Sequence, residues 1–498
     1  MKADPYTELE GVFARLTLLG EAEAVLNWDW AVMMPDGGAS ARSAQIAELK
    51  ALSHSIITDP LVGDLLDGAE SQNGLGPWQA ANLREMRRIR AHSTALDENL
   101  VVALARDGMA CETVWRTARE DGDFKAVLPA FEGLLGLVRE KARAKAEKLG
   151  LEPYDALLDA YEPGGRAAFI APLFAGLEAF VPSFLARVLE KQAATPKPLK
   201  PRGPFPQDKQ RRLGMELMEA IGFDFDHGRL DVSHHPFCGG VPEDVRITTR
   251  YDRQDFTSGL MGILHETGHA MYERGLPSEW RSQPVGQARG MSIHESQSLL
   301  VEMQVCRGRD FLSFAAPLMA RAFGGGGDDA LGFENLYRLY THVEPGFIRV
   351  DADEVTYPAH VMLRYRLERA MISGDLEAAD LPGAFNDGME ELLGITPPTD
   401  REGCLQDIHW FDGTFGYFPT YTLGAVTAAQ IFAAAVKARP QIPEAVGKGD
   451  FRPLMGWLKE NIHAQGSLLE SPELIEAATG SPLSLDAFKA HLNERYLG

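Results

Sequence analysis

Apolar positions recur at three- and four-residue steps along most of this chain, the spacing that lines one face of a helix. The pattern predicts amphipathic helix from Thr7 to about Ile57, interrupted at Trp28-Asp29-Trp30 and by a turn at Met33-Met34-Pro35-Asp36-Gly37-Gly38. Within it, Ser40 to Ser55 places Ile46, Leu49 and Leu52 on one side. Further helices are predicted at about 78–107, 112–122, 125–149 and 166–192, the last with Leu173, Leu177, Phe180, Phe184 and Val188 in register. The charge run from Arg139 to Lys148 reads as a solvated helix face. Thr195 to Pro204 carries four prolines, cannot be regular structure, and is the clearest linker. A helix at about 207–221 follows. Val245 to Tyr251 then alternates with β-branched and aromatic residues, predicting a strand within one short hairpin. A loop over Gly275–Arg289, a flexible Gly324–Gly327 loop and helices at about 292–307, 354–373, 381–393, 425–438, 451–463 and 484–496 complete a mostly α chain with little β.

Composition narrows the class. At 498 residues with 45% hydrophobic content the chain can bury a large core, and a formal net charge of −22 argues against nucleic acid or an anionic membrane as partner. The four cysteines form no Cys-x-x-Cys pair and read as buried free thiols of a reducing compartment. The first residues lack the apolar core of a signal peptide, and no uninterrupted apolar run is read as a membrane span, so the expectation is a cytoplasmic protein.

The candidate chemistry lies in His265-Glu266-Thr267-Gly268-His269. Histidines four apart share one helix face and bring two imidazole nitrogens to one cation, while the adjacent glutamate can face a water on it. Leu260, Ile263, Leu264 and Met271 supply helical apolar spacing, with Thr257 or Ser258 as N-cap. Gly259, Gly262 and Gly268 weaken the helix, so it must persist by burial and close packing. The alternative is a core helix whose histidines bond to backbone.

A catalytic zinc needs a third protein ligand. Glu295, 26 residues after His269, stands at helix–loop–helix distance; the competing reading pairs it with Ser292 in a capping box. Glu302, seven residues further on, is either an acceptor for a ligating imidazole or a surface residue. With His265, His269 and Glu295 as ligands, Glu266 would act as general base for the attacking water.

Ordered motifs then resemble those of the carboxypeptidase Taq family of metallocarboxypeptidases over most of the chain. They are Leu26-Asn27-Trp28-Asp29-Trp30 with Met34-Pro35, His235-Pro236-Phe237 and Asp244-Val245-Arg246-Ile247-Thr248 before the histidine motif. After it come His294-Glu295-Ser296, Ile348-Arg349-Val350-Asp351-Ala352-Asp353, Gly403 to Trp410 and Gly416 to Tyr421. The resemblance implies a single catalytic domain over 1–498, with 1–195 mainly N-terminal helices and 205–498 carrying the zinc and substrate motifs. It implies a large two-lobed helical body with a deep central groove and one small sheet, similar to neurolysin and angiotensin-converting enzyme. It also implies one Zn2+ or Co2+ per chain, a homodimer, and release of single residues with broad specificity from peptide or unfolded-protein C-termini. The chain departs from the family at Leu299, Val301 and Met303, where Arg, Trp and Asn are frequent.

An exopeptidase must hold a terminal carboxylate, for which Arg349 is the first candidate and Arg246 the second; Arg246 could instead pair with Asp244. Tyr421 is the candidate for stabilising the oxyanion, against simple aromatic packing. Tyr417, His409 and His294 are candidate substrate contacts, with His409 also readable as a core histidine. The nearest alternative activity is an oligopeptidase or dipeptidyl carboxypeptidase; the alternative class is a silent helical scaffold with a structural zinc.

Overall fold

The computed structural model describes residues 4–324 and 329–498. Most of the expected Gly324–Gly327 loop therefore lies outside the described residues. Helices dominate, as the periodicity predicts, with differences that have local causes. The first helix runs unbroken from Pro5 to Val32, because Trp28-Asp29-Trp30 contains no helix breaker, and Asp4 caps it. The predicted 78–107 helix splits into Pro77–Ser93 and Glu98–Asp121 where Asp97 accepts the Leu100 N–H and starts a new N-terminus. The predicted 166–192 helix splits into Ala167–Glu178 and Val181–Ala193, the second opening on Pro182. Helices Pro60–Glu70, Arg309–Phe323 and Ser471–Thr479 had no counterpart in the pattern reading.

The sheet has three strands: β1 (Gly228–Val232), β2 (Cys238–Val241) and β3 (Asp244–Thr249). Their order is β1-β3-β2, with β2 antiparallel and β1 parallel to β3. The hairpin was expected; β1 was not, since its Gly-Arg-Leu-Asp-Val shows only one buried side chain, Leu230.

Three helices position the site: the histidine helix (Phe256–Gly275), the glutamate helix (Met291–Leu299) and the tyrosine helix (Pro419–Ala438). Two large hydrophobic cores flank them. One gathers Phe131, Leu158, Met362, Trp410 and Phe418; the other gathers Leu260, Leu264, Leu300, Phe311 and Leu454. The tyrosine helix joins the two, giving Leu423 and Val426 to the first and Ala428, Ile431 and Ala435 to the second. That double burial explains its apolar composition. Ala167–Ala193 and Pro419–Ala438 are each long and apolar enough to cross a membrane by length and composition alone, a test that core helices also pass. The former is interrupted at Ala179–Phe180, and the latter is spent on core contacts.

Candidate metal centre

The histidine helix starts where Asp255 accepts the Thr257 N–H at 2.8 Å, so the cap is Asp255 rather than Thr257 or Ser258. The glutamate helix starts at Gly290, and Glu162 from a distant loop accepts the Ser292 N–H at 2.9 Å. No capping box joins Ser292 to Glu295. The Glu295 carboxylate turns to the histidines instead.

Two glycines allow the approach. A Cβ on Gly268 would stand 2.5 Å from the Gln297 carbonyl oxygen and 2.6 Å from Ser298 Cα, so the glutamate helix lies directly on the histidine helix. A Cβ on Gly424 would stand 2.8 Å from Glu295 Cβ and Cγ, so the missing side chain on the tyrosine helix leaves room for Glu295.

The result is a cluster of His265, His269 and Glu295 whose donor atoms lie within 4.8 Å of one another. Glu295 Oε2 is 3.5 Å from His269 Nε2 and 3.9 Å from His265 Nε2. Donors about 2.0–2.1 Å from one tetrahedral ion stand roughly 3.4 Å apart, so the spacing fits a single small cation. His265 Nδ1 donates to Glu302 Oε2 at 2.9 Å, which fixes its tautomer and aims Nε2 at the cluster. Glu302 is thus a buried acceptor and not a surface residue. His269 Nδ1 is buried and has no hydrogen-bond partner among the described residues.

The charges of the cluster are coupled: burial opposes the His265 cation, but Glu295 and Glu302 raise it to about 10. Burial raises Glu266 to about 7, the Glu295 charge adding to the effect against His265. Burial also opposes ionisation of Glu295, but His265 and His269 hold it down to about 2. Arg307 answers Glu302 at 2.6 Å, whereas Glu266 has no ion-pair partner among the described residues.

His294 stacks on His269 with ring centroids 4.5 Å apart, and its Nε2 meets Glu273 Oε1 at 2.9 Å. Glu273 was missed, although it sits four residues after His269 on the same helix face. Both border a cavity of about 340 Å³ whose wall includes β2, one of the two edge strands, and the first helix at Thr17 to Ala24. Cys238 lines the same space, half-buried, while the other three cysteines are buried free thiols.

Arg349 is buried and donates through Nε and Nη2 to Asp407 Oδ1, at 3.0 and 2.8 Å, and through Nη1 to the Tyr357 hydroxyl at 3.0 Å. Arg364, also missed, pairs with Asp407 Oδ2 at 2.6 Å. Two guanidinium groups therefore share one carboxylate in the interior, with a net positive charge left over. Tyr421 packs on Arg349, whose guanidinium carbon lies 5.1 Å from its ring, and meets Tyr417 edge-on at 5.2 Å. The Tyr417 hydroxyl points to Met291 Sδ at 3.6 Å. His409 packs against Phe418 at 4.6 Å, and burial lowers it to about 4. Arg246 is engaged elsewhere: its Nε donates to Asp244 at 3.1 Å and its guanidinium lies 4.3 Å from the Trp28 ring centroid.

A mainly helical body in which two imidazoles and a carboxylate converge beside a buried glutamate has the make-up of a metallopeptidase. Comparison with known proteins gives the family. The family described as carboxypeptidase Taq (M32) metallopeptidase matches residues 8–496. Thermostable carboxypeptidase 1 of Thermus thermophilus is 39% identical over 98% of this chain and 97% of its own length. Carboxypeptidase 1 of Bacillus subtilis is 33% identical over 98% and 97%. The solved structure of Trypanosoma cruzi metallocarboxypeptidase 1 superposes with a TM-score of 0.97 at 42% identity, covering 99% of each chain. The chain belongs to the carboxypeptidase Taq family and is a metallocarboxypeptidase.

Proposed function

We propose that this enzyme is a zinc carboxypeptidase that removes single residues from peptide C-termini with broad specificity, using Glu266 as general base. The observation that carries the reading is the convergence of His265, His269 and Glu295 within 4.8 Å, one residue from a buried glutamate. These three side chains would hold the ion; an imidazole–imidazole–carboxylate set suits Zn2+, with Co2+ as a substitute. When bound, the cation supplies Lewis-acid polarisation of the scissile carbonyl and acidifies a water. Glu266 accepts the proton of the attacking water and delivers it to the leaving amine. Arg349 binds the terminal carboxylate; the positive charge it shares with Arg364 beyond Asp407 supports this role in a chain of net charge −22. Tyr421, stacked on Arg349 and one turn from the glycine that touches Glu295, donates to the developing oxyanion. His294, beside the cavity wall, contacts substrate upstream of the cleaved bond, where the β2 edge can pair with extended backbone. Tyr417 and His409 shape the aromatic wall behind the substrate, whereas the Asp244 and Trp28 contacts of Arg246 favour a structural part for it. The enzyme acts in the cytoplasm, as a homodimer, on peptides or unfolded chains.

The test is Glu266→Gln with zinc content and product analysis in parallel. The expected result is one zinc per chain with turnover abolished, and, for the unsubstituted enzyme, single-residue losses from an N-terminally blocked peptide. Retained hydrolysis would remove Glu266 from the chemistry. Dipeptide products or internal cuts would replace the reading by a dipeptidyl carboxypeptidase or an oligopeptidase.

A further inference from the structure

The glutamate helix does not continue as an α-helix. From Leu300 to Cys306 it widens into a π turn, in which carbonyls shift away from their usual donors. Glu302 lies in this turn, with one carboxylate oxygen on His265 Nδ1 and the other on Arg307. The two carbonyls just after it are taken by a residue almost two hundred positions away: Arg495 donates from Nη1 to Met303 O and from Nη2 to Gln304 O, the latter at 3.0 Å. Arg495 is itself held by Glu354 Oε2 at 3.0 Å, with both side chains almost fully buried. Glu354 completes its shell with His491 Nε2 at 2.8 Å, the Tyr496 hydroxyl at 3.0 Å and Gln304 Nε2 at 3.4 Å. It also lies five residues after Arg349. One buried carboxylate thus ties together the Asn493–Leu497 turn, the π turn behind the metal centre and the Arg349 segment.

We propose that Arg495 and Glu354 are positioning residues for the metal centre: they lock the π turn so that Glu302 meets His265 Nδ1, and Glu302 in turn fixes the ring that presents Nε2. The inference rests on the reading that His265, His269 and Glu295 hold the cation. A buried ion pair by itself adds little stability over an apolar replacement, so its worth here lies in geometry. A planar guanidinium offers a rigid fork that serves two successive carbonyls and a carboxylate at once; a lysine keeps the charge but loses that fork.

The test compares Arg495→Lys, Glu302→Gln and the double variant, with zinc affinity read by competition against a chelating dye and folding read by far-ultraviolet circular dichroism. Each single change is expected to weaken zinc binding about 10–100-fold with the helical spectrum retained. Because Arg495 acts through Glu302, the double variant is expected to bind no more weakly than Glu302→Gln alone. The d–d spectrum of the cobalt-loaded enzyme is expected to change in the same variants. Should Arg495→Lys fail to fold, Glu354→Gln replaces it in the same cycle. Wild-type affinity in the folded arginine or glutamate variant, or losses that add in the double variant, overturn the proposal. An unsubstituted chain that takes up no zinc overturns the metal-site reading, and this proposal with it.

Discussion

Gly268→Ala is the sharpest perturbation of the arrangement. The added methyl would sit 2.5 Å from the Gln297 carbonyl oxygen and 2.6 Å from Ser298 Cα, both backbone atoms that cannot swing away. Ordinary contact begins near 3.4 Å, so the histidine and glutamate helices must part by about 0.8–0.9 Å. Glu295 lies on the displaced helix, and its present distances to His269 and His265 are 3.5 and 3.9 Å. Metal–ligand distances tolerate only about ±0.2 Å, so an opening of that size takes Glu295 out of the coordination shell unless the helix rotates to compensate. The expected loss is at least about 10–100-fold in zinc affinity, or about 1.4–2.8 kcal/mol. Overpacking costs about 1–3 kcal/mol of stability, against about 1 kcal/mol gained in helix propensity, so net folding stability should fall by about 0–2 kcal/mol, and zinc affinity is read separately from it.

Gly262→Ala, six residues earlier on the same helix, is the control, because its Cβ would meet nothing within 4 Å. It should keep wild-type zinc affinity and gain up to about 1 kcal/mol in denaturant unfolding. Dye competition for zinc on both variants gives the comparison. Equal affinities for Gly268→Ala, Gly262→Ala and the parent chain would refute the argument that helix contact at Gly268 sets the ligand spacing.

Three further outcomes are expected. Tyr421→Phe should lower kcat about 10²–10³-fold with KM little changed, since an oxyanion donor works only in the transition state; unchanged kcat in steady-state kinetics would return Tyr421 to aromatic packing. Arg349→Lys should weaken kcat/KM for free C-termini about 10–100-fold, matching about 1.5–3 kcal/mol for a lost charge-assisted contact, while C-terminally amidated peptides should be poor substrates of both forms. Asp159 tests pH dependence away from the metal: burial opposes its charge, but hydrogen bonds from His92 and Gly164, with Arg88 nearby, hold it at about 2 against an ordinary 3.8. A folded value below the unfolded one means its stabilisation is complete above about pH 4 and is lost as pH falls toward 2. That is worth about 2 kcal/mol, so the gap in unfolding free energy between the parent chain and Asp159→Asn should shrink across that interval; a gap independent of pH would contradict it.

How far the sequence carries one depends on whether a feature is local. The histidine pair is local: four-residue spacing on a helix suffices to put both rings on one side. Glu302 was not decided in the same way, because its bond to His265 spans 37 residues and the spacing left it open between an acceptor and a surface residue. Amphipathic periodicity gave the helical class and most helices, but not their breaks, because Asp97 as a new N-cap and the Pro182 start are single-residue choices inside a continuing apolar pattern. The π turn was invisible, since Leu300 to Cys306 keeps an apolar pattern that reads as helix in either winding. What was least legible is the set of distant partners. Arg364 joins Asp407 across 43 residues, Glu162 caps the glutamate helix across 130, and Arg495 reaches Gln304 across 191. Each of these is one polar side chain that a fold of a different connectivity would have used for something else. Gly424 is the same lesson without a side chain: in the sequence it is a defect in a good helix, and only the fold reveals that the missing Cβ is the space Glu295 occupies.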